Sequence, residues 1–169
     1  MSLAFIVFAV FIIGQLIAAY RDALTMTIPN WISVLILLSF FIVTPFVWGG
    51  WSAFGEHVLV GITVFIFGFA IFAFGWLGGG DAKLMAATAF WWQWPDLLLY
   101  VTYTTLAGGV IALFILWGRK FVPAQVLSAD WLYRLVKDQT HMPYGLALAF
   151  GAIVTLPQSE IFRLASTFV

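Results

Sequence analysis

Residues 97–117 read LLLYVTYTTLAGGVIALFILW, 21 consecutive positions without a charged side chain. An α-helix needs roughly 20 apolar residues to cross the hydrocarbon core of a bilayer, which is about 30 Å thick. This run therefore predicts a transmembrane helix. Five further apolar runs indicate the same kind of element, at residues 3–20, 31–48, 58–77, 82–94 and 143–156.

The composition agrees with a membrane protein. Of 169 residues, 64% are hydrophobic and 8% are charged, whereas soluble domains carry roughly 25% charged residues. The length allows about six spans and no separate soluble domain, so residues 1–169 are predicted to form one integral-membrane domain. We expect an all-α, polytopic helix bundle with about six transmembrane helices in the lipid bilayer.

Several function classes are excluded by residue counts. Seven basic and seven acidic residues leave no net charge, so the basic field that nucleic-acid binding requires is missing. The absence of cysteine rules out disulfides, thiol catalysis and thiolate metal sites. The two histidines, His57 and His141, are too far apart for an H-E-x-x-H zinc motif. We therefore expect no metal and no cofactor.

Basic residues set the expected orientation, because cytoplasmic loops carry an excess of Lys and Arg. Six of the seven basic residues follow the first, third and fifth runs, so the amino terminus is predicted to lie outside. These six basic residues are Arg21, Lys83, Arg119, Lys120, Arg134 and Lys137. The alternation of loops between the two sides of the membrane holds only if the short run at 82–94 crosses it.

The polar connection at 118–142 is predicted to be a surface helix whose basic residues contact a substrate.

Two acidic residues fall at the predicted cytoplasmic helix ends. Asp22 closes the first run and Asp81 opens the fourth. Ionisable residues at membrane depth are costly and usually functional. Two adjacent carboxyl groups tend to share one proton, so one can activate water while the other hydrogen-bonds a carbonyl. The pair thus predicts aspartic peptide hydrolysis, although an aspartate that opens a helix is more often an N-cap.

The glycines before Asp81 fit this chemistry. Gly78, Gly79 and Gly80 carry no side chains, so an extended substrate backbone can approach closely. The run is not a phosphate-binding loop, because Lys83 stands where the last glycine would be and no G-K-[ST] follows. His57, beside Glu56, is predicted to be a solvated residue on the outer side.

Three motifs together resemble one family. Gly78-Gly79-Gly80-Asp81-Ala82-Lys83-Leu84 resembles the GxGD motif of the type IV prepilin peptidases. Arg21-Asp22 with Ile28-Pro29-Asn30-Trp31 resembles that family's other aspartate motif, and Pro143-Tyr144-Gly145 is similar to its Pro-aromatic-Gly sequence. The motifs occur in the family's order.

The resemblance implies an aspartic endopeptidase of the inner membrane. Such an enzyme uses two aspartates and water to remove the leader from prepilins or pseudopilins at the cytoplasmic face, just before the substrate's hydrophobic helix. By motif position, Asp22 and Asp81 would be catalytic. Supporting or substrate-binding residues would be Gly78, Gly79, Gly80, Lys83, Pro29, Asn30, Pro143 and Gly145.

The sequence also departs from the longer family members. Those carry a cytoplasmic insertion after the first helix, often with zinc-binding cysteines, and methylate the product. Here only about ten residues separate the first two runs, so the chain resembles the short peptidases of tight-adherence (Flp-type) pili, and methyltransferase activity is not expected. The alternatives are an archaeal-type preflagellin peptidase, a small proton-coupled transporter that uses the same acids, and a structural subunit that binds a partner helix.

Overall fold

The computed structural model describes residues 3–121 and 142–167. These ranges contain seven α-helices and no strand, which confirms the predicted all-α bundle. The predicted surface helix at 118–142, with Arg134 and Lys137, lies almost entirely outside the described residues. The helices are α1 (Leu3–Thr25), α2 (Asn30–Val43), α3 (Trp51–Ala73), α4 (Gly79–Ala89), α5 (Trp94–Phe121), α6 (Tyr144–Thr155) and α7 (Glu160–Thr167).

Three of these helices are long and apolar enough to cross a membrane by themselves. They are α1, α3 and α5, and the pair α6 and α7, bent by 43°, makes a fourth span if it counts as one. The expectation of about six spans also counted the shorter segments. Of these, α2 has 14 residues and α4 has 11, and 11 residues give only about 16 Å of helix. A helical membrane bundle is confirmed, while six crossings stay a prediction.

The helix ends gather at two opposite ends of the bundle. Residues that end α1 and α3 and begin α4 and α6 line shared cavities at one end. At the other end, the backbone N–H of Trp94 donates to Glu56 at 3.2 Å, and that of Glu160 donates to Asp96 at 3.3 Å. Helices α1 to α6 therefore alternate in direction, while α7 continues from α6 after a bend of 43°.

The core lies between α1, α2, α4 and α6. Phe11 of α1 and Trp91, just after α4, place their ring centroids 4.4 Å apart, and the indole N–H of Trp91 donates to the carbonyl of Ile36 on α2. His57, predicted to be solvated, is in fact only 7% exposed. Its ring packs against Phe40, because α3 turns this position toward α2 and not outward.

A polar contact inside this core aligns α1 with α4. The Gln15 amide N–H donates to the Thr88 hydroxyl at 2.7 Å, and neither residue is exposed. Gln15 precedes Asp22 by seven positions, and Thr88 follows Asp81 by seven. Because the two helices run in opposite directions, this one contact brings both aspartates to the same height.

Loss of this contact is expected to destabilise the bundle. Thr88→Val keeps the side-chain shape but leaves the Gln15 amide unpaired in an apolar core, which should cost about 1 kcal/mol or more. Thermal unfolding in detergent would measure the loss. The double variant Gln15→Met with Thr88→Val removes both polar partners and should be more stable than Thr88→Val. Equal stability of Thr88→Val and the wild type would contradict this role.

Candidate active site

The structure brings the two predicted aspartates together. Asp22 lies in the last turn of α1 and is 4% exposed, and Asp81 lies in the first turn of α4 and is 8% exposed. Both line two adjoining cavities of about 280 Å³ each, which also share Met26 and Gly78. Two carboxyl groups therefore border a space large enough for water and a short piece of peptide.

Asp22 is held by the beginning of α6. Its Oδ2 atom accepts a hydrogen bond of 2.7 Å from the backbone N–H of Gly145, in the first turn of that helix. First-turn N–H groups have no partner within their own helix, and the helix dipole favours an anion there. Negative charge on Asp22 is stabilised by this contact.

Asp81 lies in a different environment. Its Oδ1 atom is buried and has no hydrogen-bond partner among the described residues. Burial, together with the negative charge of Asp22, raises the pKa of Asp81 to about 7. Near neutral pH the pair therefore tends to hold a single proton, and the unequal surroundings favour that proton on Asp81.

Two glycines let the three motif segments meet. A Cβ atom on Gly145 would lie 2.9 Å from the Cβ of Asp22 and 3.0 Å from the Cδ1 of Ile28. A Cβ atom on Gly80 would lie 3.1 Å from the Cβ of Ile28 and 3.3 Å from its backbone nitrogen and oxygen. These distances are shorter than ordinary contacts, so Gly80 and Gly145 admit protein backbone. The sequence predicted that the glycines before Asp81 let a substrate backbone approach closely. In the structure, Gly80 and Gly145 let segments of the protein itself approach each other.

The other glycines lie at the cavities themselves. Gly78, Gly79 and Gly80 line the second cavity together with both aspartates. Gly78 precedes the first residue of α4 in an extended conformation, and a Cβ atom there would lie 2.9 Å from the Oδ2 of Asp81. An added side chain at Gly78 would press on that carboxyl group.

The remaining predicted residues belong to the framework. Lys83 donates from Nζ to the Oδ1 of Asn30 at 2.9 Å, which joins the start of α4 to the start of α2. Pro29 and Pro143 precede the first residues of α2 and α6, where the missing proline N–H breaks no helical hydrogen bond. None of these four residues lines either cavity.

Other cavity residues were not predicted from sequence. Met26 follows the last residue of α1 and has a φ of 53°, a conformation that non-glycine residues seldom adopt. The residues around Met26 do not predict this conformation. Trp76, Leu77, Met142 and Tyr144 also line the first cavity. Trp76 and Leu77 adjoin the GGGD segment, and Met142 and Tyr144 flank Pro143. Their position beside a motif is the sequence feature that could have predicted them as cavity residues. In the described ranges no three His, Asp or Glu residues are placed to hold a metal ion.

This arrangement can support acid–base chemistry on a bound carbonyl group. The carboxyl group of Asp22 accepts a backbone N–H, the pKa of Asp81 is raised by burial, and both carboxyl groups line the same space. Among known proteins, the model of the type IV leader peptidase family matches residues 9–113 of the chain. The matched range contains both aspartates and ends before Gly145. No curated protein and no solved structure matches the chain.

Proposed function

The chain belongs to the type IV leader peptidase family, and we propose that it is an aspartic endopeptidase that removes the leader from prepilins or pseudopilins. Asp22 and Asp81 would be its catalytic residues, and water its nucleophile. The observation that carries this proposal is that two buried carboxyl groups with unequal hydrogen bonding line one cavity.

The unequal environments suggest a role for each aspartate. Asp22, which accepts the Gly145 N–H, is the base that takes a proton from water. The water oxygen attacks the scissile carbonyl carbon while protonated Asp81 donates a hydrogen bond and then its proton to the carbonyl oxygen. Collapse of the tetrahedral intermediate breaks the C–N bond, the amine leaves with the proton from Asp22, and Asp81 regains its own from the hydroxyl group.

We place this reaction at the cytoplasmic face of the inner membrane. Arg21 and Lys83 lie within two residues of the aspartates, and basic residues favour the cytoplasmic side of a membrane protein. α1 ends at Thr25 and α2 begins at Asn30, so the connection is much shorter than the insertion that accompanies methyl transfer. We therefore propose a peptidase without methyltransferase activity.

Mass spectrometry of a full-length prepilin, incubated with the purified protein in proteoliposomes, tests the proposal. We expect loss of the leader and an unmethylated new amino terminus, and a preflagellin in parallel tests the archaeal alternative. Absence of cleavage of both, with proton flux across the same vesicles, would overturn the proposal in favour of a transporter. Absence of both activities would favour a structural subunit.

The same assay has an expected pH dependence. Catalysis requires a proton on Asp81, and the pKa of this carboxyl group is raised to about 7. The single-proton form of the pair is therefore lost as pH rises through about 7, and kcat/KM should fall over that range. A rate that keeps rising from pH 7 to pH 9 would argue against Asp81 as the acid.

A further inference from the structure

A wide cleft separates α3 from α5. α3 packs mainly on α4 and α5 mainly on α6, while α3 and α5 touch each other at few positions. The space between them measures about 620 Å³ and is bordered by Val64 and Phe67 of α3 and by Leu97 and Thr105 of α5. We name this space the α3–α5 cleft.

We propose that the α3–α5 cleft binds the hydrophobic helix of the substrate, the segment that follows the scissile bond. This inference rests on the proposed function. The cleft borders α5 from Leu97 to Ala112, about 22 Å along the helix axis. That length covers most of the hydrocarbon core, as an embedded substrate helix requires.

The cleft is continuous with the aspartate cavity. Leu77, Met142 and Tyr144 line both spaces. A helix seated in the cleft would therefore end beside the two aspartates, and the chain that precedes the helix would continue across them.

The lining suits a helix. Gly108, Gly109 and Ala112 form a small-residue face on α5, and small residues allow helices to approach closely in membranes. A Cβ atom on Gly109 would meet no described atom within 4 Å, whereas one on Gly108 would lie 3.6 Å from the Cβ of Ala147 on α6. Among the described residues, Gly109 is therefore an open position on this face.

Cysteine cross-linking can test the cleft, because the chain has no cysteine of its own. In an Asp81→Asn background that leaves the substrate intact, Thr105→Cys places a thiol in the cleft. Leu106→Cys places one at the next position, which is 63% exposed and outside the cleft. With a single cysteine in the prepilin's hydrophobic helix, we expect a disulfide with Thr105→Cys and little with Leu106→Cys. Equal cross-linking of the two would overturn the proposal.

A variant that fills the cleft separates substrate docking from catalysis. Gly109→Trp should raise KM for full-length prepilin at least tenfold, while a short peptide that spans the bond but lacks the helix is cleaved as by the wild type. Gly55→Trp is the control, since Gly55 is outside the cleft and a Cβ atom there meets no described atom within 4 Å. Normal KM for Gly109→Trp would overturn the cleft alone, whereas absence of prepilin cleavage by the wild type would overturn the proposed function.

Discussion

Asp22→Asn and Asp81→Asn are each expected to lower kcat for leader cleavage by about 10³-fold, because general acid–base catalysis contributes roughly 10²–10⁴. Asparagine keeps the shape and polarity of aspartate but neither accepts a proton from water nor donates one to the carbonyl oxygen. Single-turnover cleavage of a prepilin in proteoliposomes measures the loss, and cross-linking through Thr105→Cys should still report substrate binding.

Asp96→Asn provides a matched control. Asp96 is as buried as Asp22, at 4% exposure, but it lies at the opposite end of the bundle. There its Oδ2 atom accepts N–H groups from Gln93 and Glu160. The carbonyl oxygen of asparagine can accept the same bonds, so we expect nearly normal cleavage. Normal cleavage by Asp22→Asn or Asp81→Asn, with the protein folded and inserted, would refute the catalytic assignment.

The Asp81→Asn variant should also be more stable than the wild type at neutral pH. Burial raises the pKa of Asp81 from 3.8 to about 7, so the folded state holds this proton more tightly than the unfolded state. The carboxyl group therefore costs the folded state stability progressively as pH rises from about 4 to about 7, by up to about 4 kcal/mol in total. Asparagine removes that cost, and a higher melting temperature together with lost activity would distinguish a catalytic group from a structural one.

Gly145→Ala is expected to lower kcat/KM by about 10²-fold. The added methyl group would lie 2.9 Å from both the Cβ and the Oδ2 of Asp22, so either the carboxyl group or the start of α6 must move. A misplacement of about 1 Å in a catalytic group can cost this much. Cleavage kinetics with a full-length prepilin would measure the effect.

Gly55→Ala serves as the control for this substitution. A Cβ atom on Gly55 meets no described atom within 4 Å, and alanine in a helix is more favourable than glycine by about 1 kcal/mol. We expect this variant to be stable and fully active. If Gly145→Ala were equally active, the contact between α6 and Asp22 would have no role in holding the carboxyl group in place.

The sequence pointed to the two aspartates that the structure brings together, but not to the bounds of the helices that carry them. Asp22 and Asp81 were found because a charge in an apolar chain is conspicuous, and Pro29, Pro143 and the glycine run marked real helix starts. The fourth segment was expected at 82–94, yet α4 covers Gly79–Ala89. Apolar residues continue past Ala89, so the sequence pattern contained no signal for the end of the helix.

Contacts between remote residues were not predictable in this way. The pairing of Gln15 with Thr88 and the bond from Gly145 to Asp22 join positions 73 and 123 residues apart. Neither follows from a local period, because each depends on which helices become neighbours. His57 was misjudged for the same reason: Glu56 beside it suggested solvent, and the aromatic side chain of Phe40 that covers it belongs to another helix.

The bond from Gly145 to Asp22 has a consequence for biosynthesis. The ribosome synthesises Asp22 and Asp81 well before Gly145. The nascent chain therefore contains both acids without the backbone N–H that holds the carboxyl group of Asp22. Under the proposed function, the pair of acids would become competent for proteolysis only after residues 144–155 have been translated.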